Sequence, residues 1–224
     1  MSFINILLTA AICYLIGSIP FGLIIVKLTT GKDVRQIGSG RTGGTNAMRA
    51  AGFLAGAATA ILDVLKGVAS GWVAEWLFPG DPWLKVLAAI FALWGAIHSI
   101  FLMEKDETGH WRLRGGAGGA TGLGGAIALW NPSVFIILPI GTLIYLFVGY
   151  ASVTTISVAV SALVIFAIRA VVDNQPVQYI AFGAAALAIV LYALRPNLKR
   201  LKEGTERVVG LRAYLQKKQK QFHL

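Results

Sequence analysis

Residues 152–170 read SVTTISVAVSALVIFAIRA, and Arg169 is the one charged residue among them. A helix needs about 20 predominantly apolar residues to cross the hydrocarbon core of a bilayer, so this stretch predicts a transmembrane helix. Turn-forming residues such as Asn131-Pro132 separate it from neighbouring apolar stretches. The second half of the chain therefore contains four predicted spans, at about 119–131, 133–149, 152–170 and 177–194.

The first half of the chain adds three apolar stretches, at about 4–26, 50–72 and 84–103. Of the 224 residues, 56% are hydrophobic and 13% are charged, whereas soluble domains have about 25% charged residues. The sequence therefore predicts an all-α integral membrane protein with about seven transmembrane helices. Because the stretch at 119–131 is short, six spans and a re-entrant segment are the main alternative. No Lys or Arg precedes the first stretch, so we interpret it as a retained span rather than a cleavable signal.

The positive charges predict the orientation in the membrane. They are concentrated in three stretches, at 27–50, 104–122 and 195–220, while the connection at 75–83 carries acidic residues. Cytoplasmic loops carry the excess of Lys and Arg. The N-terminus is therefore predicted outside and the C-terminus in the cytoplasm, and seven spans satisfy both conditions.

Composition also limits the classes of ligand. The single cysteine, Cys13, lies in an apolar stretch, which excludes a disulfide within the chain and a thiolate metal site. A net charge of +10 is compatible with a nucleic acid, an anionic membrane surface or an anionic substrate. Because the basic stretches flank membrane spans, we expect the lipid bilayer and an anionic substrate as partners, and no nucleic acid. Neither a cofactor nor a metal is predicted.

The first basic stretch contains a glycine-rich segment, IGSGRTGGTN at 37–46, followed by Arg49. Glycines let backbone N–H groups converge on an anion, and the hydroxyls and Arg side chains add donors. No Gly-Lys-Ser/Thr follows, so this is not a nucleotide-binding Walker loop. The alternative is a flexible turn between two spans.

The other two basic stretches have a similar character. Residues 113–122 read LRGGAGGATG, although small residues also permit close helix packing in membranes. Residues 195–206 read RPNLKRLKEGTE, which could instead be a segment that binds lipid headgroups. We predict a membrane domain at 1–204 and a basic cytoplasmic tail at 205–224, in which apolar residues among lysines favour an interfacial helix.

Three ionisable residues lie inside or at the end of predicted spans. Asp63 and Lys66 are three residues apart and so share a helix face. Such groups either pair with each other or face a cavity. His98, at the end of a span, is a candidate general base because its pKa suits that role, or else a buried hydrogen-bonding residue.

Together these residues resemble the PlsY family of bacterial acyl-phosphate:glycerol-3-phosphate acyltransferases. Its first motif is similar to 38–49, with a further element at 62–67. Its second motif is similar to His98 with 114–121, and its third to 197–206. The three motifs occur in the same order and with the same membrane placement.

The resemblance implies that a fatty acyl group passes from acyl phosphate to the 1-hydroxyl of glycerol 3-phosphate, the first step of phospholipid synthesis. It implies a site on the cytoplasmic side of the bacterial inner membrane, and a contact with an enzyme that produces acyl phosphate. The implied catalytic residues are His98, Asn197 and Glu206. The implied substrate-binding residues are Ser39, Gly40, Arg41, Thr45, Asn46, Arg49, Lys66, Arg114, Gly115, Gly116, Gly118 and Thr121.

This sequence also departs from the family pattern. Ala117 stands where the family has a lysine, Arg41 where it has an asparagine, and Leu194 where it has a histidine. An acidic insertion at 104–107 makes His110 a second match to the family histidine. The base is therefore open between His98, His110 and the substrate's own phosphate. A transporter of a small anion and a degenerate, non-catalytic relative are the alternative functions.

Overall fold

The computed structural model describes residues 3–105 and 108–222. Within these residues the chain is almost entirely helical. The helices are α1 (Phe3–Ser18), α2 (Phe21–Thr30), α3 (Gly44–Ala51), α4 (Phe53–Leu77), α5 (Pro82–Ile97), α6 (Gly119–Leu129), α7 (Val134–Leu143), α8 (Ala151–Val172), α9 (Gln178–Ala193), α10 (Arg195–Lys202) and α11 (Gly210–Phe222). Two short strands, β1 (Met103–Lys105) and β2 (Trp111–Leu113), pair antiparallel between α5 and α6.

Five helical segments in the described part of the chain are long and apolar enough to cross a membrane. They are Phe3–Thr30, Phe53–Leu77, Pro82–Leu102, Asn131–Val148 and Ala151–Val172. A sixth is formed if α9 and α10, which are bent by 64°, count as one span. The first five segments coincide with predicted spans to within a few residues, and α9 alone matches the span predicted at 177–194. The short stretch predicted at 119–131 forms α6, whose 11 residues are fewer than a straight crossing requires.

Local sequence explains where several helices begin and end. Pro20 interrupts the first span between α1 and α2, since proline has no N–H to donate. At the start of α5, the side chain of Asp81 accepts hydrogen bonds from Trp83 N at 2.9 Å and from Leu84 N, which caps the helix. After α7 the helix widens into a π-helix and ends at Gly149, whose φ of +76° suits glycine.

Small residues bring α4 and α6 into close contact. A Cβ atom at Gly67 would overlap the carbonyl oxygen of Thr121, and one at Gly124 would overlap that of Val64. Such close approach is typical of helix pairs in membranes, where packing replaces the hydrophobic effect as the driving force. The contact holds the N-terminal end of α6 against the middle of α4.

The largest buried apolar cluster lies between α5, α6, α8 and α9. At its centre Phe182 is fully buried and packs edge-to-face with Phe166, their ring centroids 6.2 Å apart. Leu93 of α5 is also fully buried in this cluster. The second basic stretch lies between α5 and α6 and the third follows α9, so the cluster fixes the helices next to these two stretches.

The acidic insertion and the basic tail form two further elements. The predicted insertion at 104–107 lies in the β1–β2 hairpin, although Asp106 and Glu107 are outside the described residues. The predicted interfacial helix is α11, and residues 223–224 of the tail are also outside the described range. α11 packs on the end of the α7 span, where Val209 N donates to Gly149 O at 2.9 Å.

Candidate active site

The side chain of Arg41 contacts all three basic stretches of the sequence, which are called the polar stretches from here on. Its guanidinium donates to the carbonyl oxygen of Gly116 at 3.0 Å, to that of Ala193 at 2.5 Å and to the side-chain oxygen of Asn197 at 3.3 Å. Burial lowers the pKa of Arg41, and the nearby charge of Arg200 adds to this effect. The planar fork of donors allows one side chain to bind several acceptors at once.

Asn46 organises the first glycine-rich segment from within. Its amide nitrogen donates to the carbonyl oxygens of Val34, Ile37 and Arg41 at 2.8–3.0 Å, and its oxygen accepts from Ser39 N. The side chain is buried and its hydrogen bonds go to the loop itself. Asn46 therefore holds the backbone on which Ser39 and Arg41 are placed.

The second glycine-rich segment packs tightly against the end of α5. Gly116 N donates to Ala96 O at 2.8 Å, and Gly115 O accepts from Thr42 N at 3.3 Å. A Cβ atom at Gly115 would overlap the carbonyl oxygens of α5. Gly118 has a φ of +83° and is the N-cap residue of α6, so the segment turns directly into the N-terminus of a helix.

The third polar stretch carries a chain of hydrogen bonds centred on Glu206. One carboxylate oxygen accepts from Asn197 Nδ2 at 2.8 Å and the other from Arg200 Nε at 3.3 Å. The Glu206 side chain is only 5% exposed. With Arg41 on the far side of Asn197, a charged network extends from the first stretch to the third.

These three stretches and the neighbouring helices enclose one cavity of about 400 Å³. Its polar wall includes Ser39, Arg41, Thr45, Arg49, Arg200, Glu206 and Arg207. Its apolar wall includes Ala60, Val64, Leu123, Ile137, Leu138 and Val158. The cavity therefore suits a molecule with an anionic head and an apolar tail.

Positive charge dominates the polar wall. Burial lowers the pKa of Arg49, and the charge of Arg207 lowers it further because two cations repel each other. Among the described residues, neither side chain has an ion pair with a carboxylate within 4.0 Å. Two neighbouring arginines of this kind favour the binding of a phosphate or carboxylate.

Asp63 and Lys66 lie in the wall of the same cavity. Lys66 Nζ is 2.8 Å from the Asp63 carboxylate and donates to Ile19 O at 3.2 Å, at the break between α1 and α2. Both predicted arrangements are therefore present at once, since the residues pair with each other and also face a cavity.

Most of the predicted site residues line this cavity. They are Ser39, Arg41, Thr45, Asn46, Arg49, Lys66, Gly116, Gly118, Thr121, Asn197 and Glu206. Ala117, which stands where the family has a lysine, lines it as well. The remaining predicted residues, Gly40, His98, Arg114 and Gly115, are not among the lining residues.

Arg114, His98 and the second candidate base, His110, make contacts outside the cavity lining. Arg114 forms an ion pair with Glu104 of β1. The ring of His98 stacks on Trp94 with centroids 4.4 Å apart, and its Nδ1 is buried with no hydrogen-bond partner among the described residues. His110, the second candidate base, lies in the exposed hairpin within 2.8 Å of Thr108.

Sequence reasoning missed several lining residues. Arg207 follows the third motif directly, but we assigned it to the tail. Tyr145, Thr154 and Thr155 lie in apolar spans and also line the cavity. The pair at 154–155 places two adjacent hydroxyls in a mainly apolar helix, and that pair was the available signal. Among the described residues, no three His, Cys, Asp or Glu side chains come together as a metal site.

The fold and the cavity define a helical membrane protein whose cavity has a basic wall and an apolar wall. The sequence profile of the family described as glycerol-3-phosphate acyltransferase matches residues 7–204. The chain belongs to this family and is an integral membrane acyltransferase.

Curated relatives and solved structures agree with this assignment. A glycerol-3-phosphate acyltransferase of Thermus thermophilus is 35% identical over 211 residues, covering 92% of this chain and 96% of the relative. One of Rubrobacter xylanophilus is 36% identical and covers 89% of this chain and 93% of its own. The crystal structure of PlsY, an integral membrane glycerol 3-phosphate acyltransferase in its glycerol 3-phosphate form, superposes with a TM-score of 0.79 at 30% identity, covering 94% of this chain and 98% of that one.

Proposed function

We propose that this protein transfers a fatty acyl group from acyl phosphate to the 1-hydroxyl of glycerol 3-phosphate, releasing lysophosphatidic acid and inorganic phosphate. The observation that carries the proposal is the two-sided cavity, which has arginines at one wall and an apolar wall formed largely by α4, α6 and α7. Both substrates carry a phosphate, and one also carries a long apolar chain. This reaction would be the first step of phospholipid synthesis.

The unpaired arginines are the proposed site for the phosphate of glycerol 3-phosphate. Arg49 and Arg207 supply charge-assisted donors, and the hydroxyls of Ser39 and Thr45 lie in the same wall. A phosphate held here would place the rest of glycerol 3-phosphate inside the cavity, beside Asn197 and Glu206.

The second glycine-rich segment is the proposed site for the head of acyl phosphate. Gly116 and Gly118 line the cavity, and the N-terminus of α6 begins at the latter. Backbone N–H groups and the helix dipole stabilise a phosphate in the ground state and an oxyanion in the transition state. Thr121, one turn into α6, adds a hydroxyl.

The chemical step requires no covalent enzyme intermediate. The 1-hydroxyl oxygen attacks the acyl carbon, the bond from that carbon to the phosphate oxygen breaks, and the hydroxyl proton leaves with the released phosphate. We propose the donor phosphate as the proton acceptor, because the His98 ring stacks on Trp94 and is not among the residues that line the cavity. Asn197 and Glu206 are proposed to orient the attacking hydroxyl. A base role for His98 stays a prediction.

We further propose seven spans, with α6 as a short one, the N-terminus outside and the C-terminus in the cytoplasm. This arrangement is supported by the basic residues at one face, and it places the cavity mouth at the cytoplasmic side of the bacterial inner membrane. Residues 1–204 would form the membrane domain and 205–224 a basic cytoplasmic tail. With its cavity mouth on the cytoplasmic side of the membrane, the protein could contact an enzyme that produces acyl phosphate.

The decisive experiment measures phosphate release by purified protein supplied with palmitoyl phosphate, with and without glycerol 3-phosphate. The proposal requires release that depends on glycerol 3-phosphate and is matched by lysophosphatidic acid formed. A folded, monodisperse sample without acceptor-dependent release would overturn it and favour a degenerate relative. Uptake of glycerol 3-phosphate into vesicles without acylation would favour a transporter.

A further inference from the structure

The β1–β2 hairpin has two chemically different faces. In its register Met103 pairs with Leu113 and Lys105 with Trp111, so these four side chains share one face. Glu104 pairs with Arg112 on the other face. One face is thus mainly apolar and the other charged.

The charged face is turned towards the loops of the site. Glu104 forms ion pairs with Arg114 and, at 3.6 Å, with Arg35. Arg114 follows β2 directly and precedes Gly115 and Gly116, whose backbone contacts α5. The hairpin is therefore attached to the second glycine-rich segment by both the chain and an ion pair.

The apolar face has no cover among the described residues. Trp111 is 62% exposed and Met103 is 47% exposed. The face continues directly into Phe101, 58% exposed at the end of the span Pro82–Leu102. The hairpin therefore begins where the chain leaves the hydrocarbon core, and its exposed apolar side chains continue the lipid-facing surface of that span.

The residue types on this face are those of a membrane interface. Tryptophan is enriched at headgroup depth, where its ring is partly in apolar surroundings and its N–H is hydrated. Lys105 places its ammonium 5.0 Å from the centroid of the Trp111 ring, so its stem covers the apolar face while its charge can reach the lipid phosphates. A protein partner would not account for this continuity with the span.

We propose that the face formed by Met103, Lys105, Trp111 and Leu113 is inserted into the headgroup region of the bilayer in which the protein resides. The inserted hairpin then fixes Glu104 and Arg114, and through them the second glycine-rich segment, relative to the membrane plane. This inference concerns the hairpin alone and does not depend on the identity of the acyl donor.

Spin labelling in lipid nanodiscs tests the insertion. Cysteines are introduced at 111, 113 and 112, one at a time, in a Cys13→Ala background, together with a lipid reference at Val164 and a water reference at Glu203. Labels at 111 and 113 should be several-fold more accessible to oxygen, relative to a water-soluble nickel complex, than the labels at 112 and 203. Equal accessibility to nickel at 111, 113 and 203 would overturn the proposal and leave the face free for a protein.

A second measurement avoids labels and needs only a conservative variant. The fluorescence difference between the intact protein and Trp111→Phe isolates the contribution of this one ring. We expect lipids brominated near the headgroup to quench that contribution more strongly than acrylamide in the water does. Stronger quenching by acrylamide would contradict insertion even if the cysteine variants failed to fold.

Discussion

Arg41 donates a hydrogen bond to the side-chain oxygen of Asn197 at 3.3 Å, although the two residues are 156 positions apart in the chain. The same guanidinium binds the carbonyl oxygens of Gly116 and Ala193. One buried cation thus holds the three polar stretches together. Asn197 in turn donates a hydrogen bond to Glu206, which extends the network. Because Arg41 binds Gly116, the residue before Ala117, its positive charge lies close to the position where the family has a lysine.

Replacing Arg41 by Lys should therefore reduce activity although the charge is kept. A single ammonium does not reproduce the planar fork that binds three acceptors. Each hydrogen bond to a charged group is worth about 1.5–3 kcal/mol, so we expect kcat/KM to fall at least tenfold. Steady-state phosphate release measures this. Lys199→Ala, at a side chain that is 78% exposed, should behave like the parent protein. Equal activity of Arg41→Lys and the parent would contradict the bridging role.

Glu206→Gln tests the carboxylate at the end of the same network. The substitution keeps the size but replaces an oxygen that accepts from Arg200 or Asn197 with an NH₂ group. Leaving a buried donor without its partner costs about 1–3 kcal/mol, and the change should lower kcat more than it alters KM. Glu203→Gln is the matched control, because its carboxylate is half exposed and pairs only loosely with Lys199 at 3.9 Å. A parent-like kcat for Glu206→Gln would exclude a role in the chemical step.

The helices could be predicted because membrane spans are encoded by local composition. An apolar stretch of about 20 residues has few alternatives to a helix, since lipid offers no partner for an unpaired backbone group. The span predicted at 133–149 ends at Gly149 as expected, whereas the break at Pro20 depends on a single residue and was not predicted. The hairpin was predicted only as an insertion, because strands of three residues leave too short a pattern to identify.

The site was predictable only as far as its residues lay in recognisable motifs. The motif residues Ser39, Arg49 and Asn197 were identified, and all three line the cavity. Arg114 was expected to bind substrate, but its partner Glu104 lies in an insertion outside the motifs. Tyr145 reaches the cavity from a helix that is otherwise apolar. Such contacts depend on tertiary packing, which single motifs do not encode.

Gly118→Ala should disturb the second glycine-rich segment. Its φ of +83° disfavours any side chain by about 1–2 kcal/mol, and a Cβ atom would lie 2.7 Å from Leu93 Cδ1. Gly31 has a comparable φ of +69°, and no atom of the described residues would lie within 4 Å of its Cβ, so Gly31→Ala carries the backbone strain without the clash. We expect a larger loss of thermal stability and of activity for Gly118→Ala than for Gly31→Ala. Equal losses would show that the close contact with Leu93 is unimportant.

Arg49→Ala should weaken the binding of glycerol 3-phosphate more than it slows the chemical step. The guanidinium lies in the polar wall near Arg207. Loss of a charge-assisted contact that is equal in the ground and transition states raises KM at unchanged kcat. We expect KM for glycerol 3-phosphate to rise about tenfold or more, since one such contact is worth about 1.5–3 kcal/mol. Arg195→Ala, an exposed arginine over Tyr192, is the control. A fall in kcat at unchanged KM would place Arg49 at the reacting atoms instead.

The pair Asp63–Lys66 allows a structural role to be separated from substrate binding. Lys66→Met alone leaves a buried carboxylate without its partner, which is expected to cost about 3–5 kcal/mol and to lower the melting temperature. Adding Asp63→Leu removes the uncompensated charge, so the double variant should recover most of that stability, because a buried ion pair is often replaceable by apolar residues. Thermal unfolding and phosphate release are measured on the parent, both single variants and the double variant. If Lys66 also binds a phosphate, the double variant will be stable but will have a raised KM for a substrate. If it regains both stability and the parent KM, the pair is structural and Lys66 is not a substrate-binding residue.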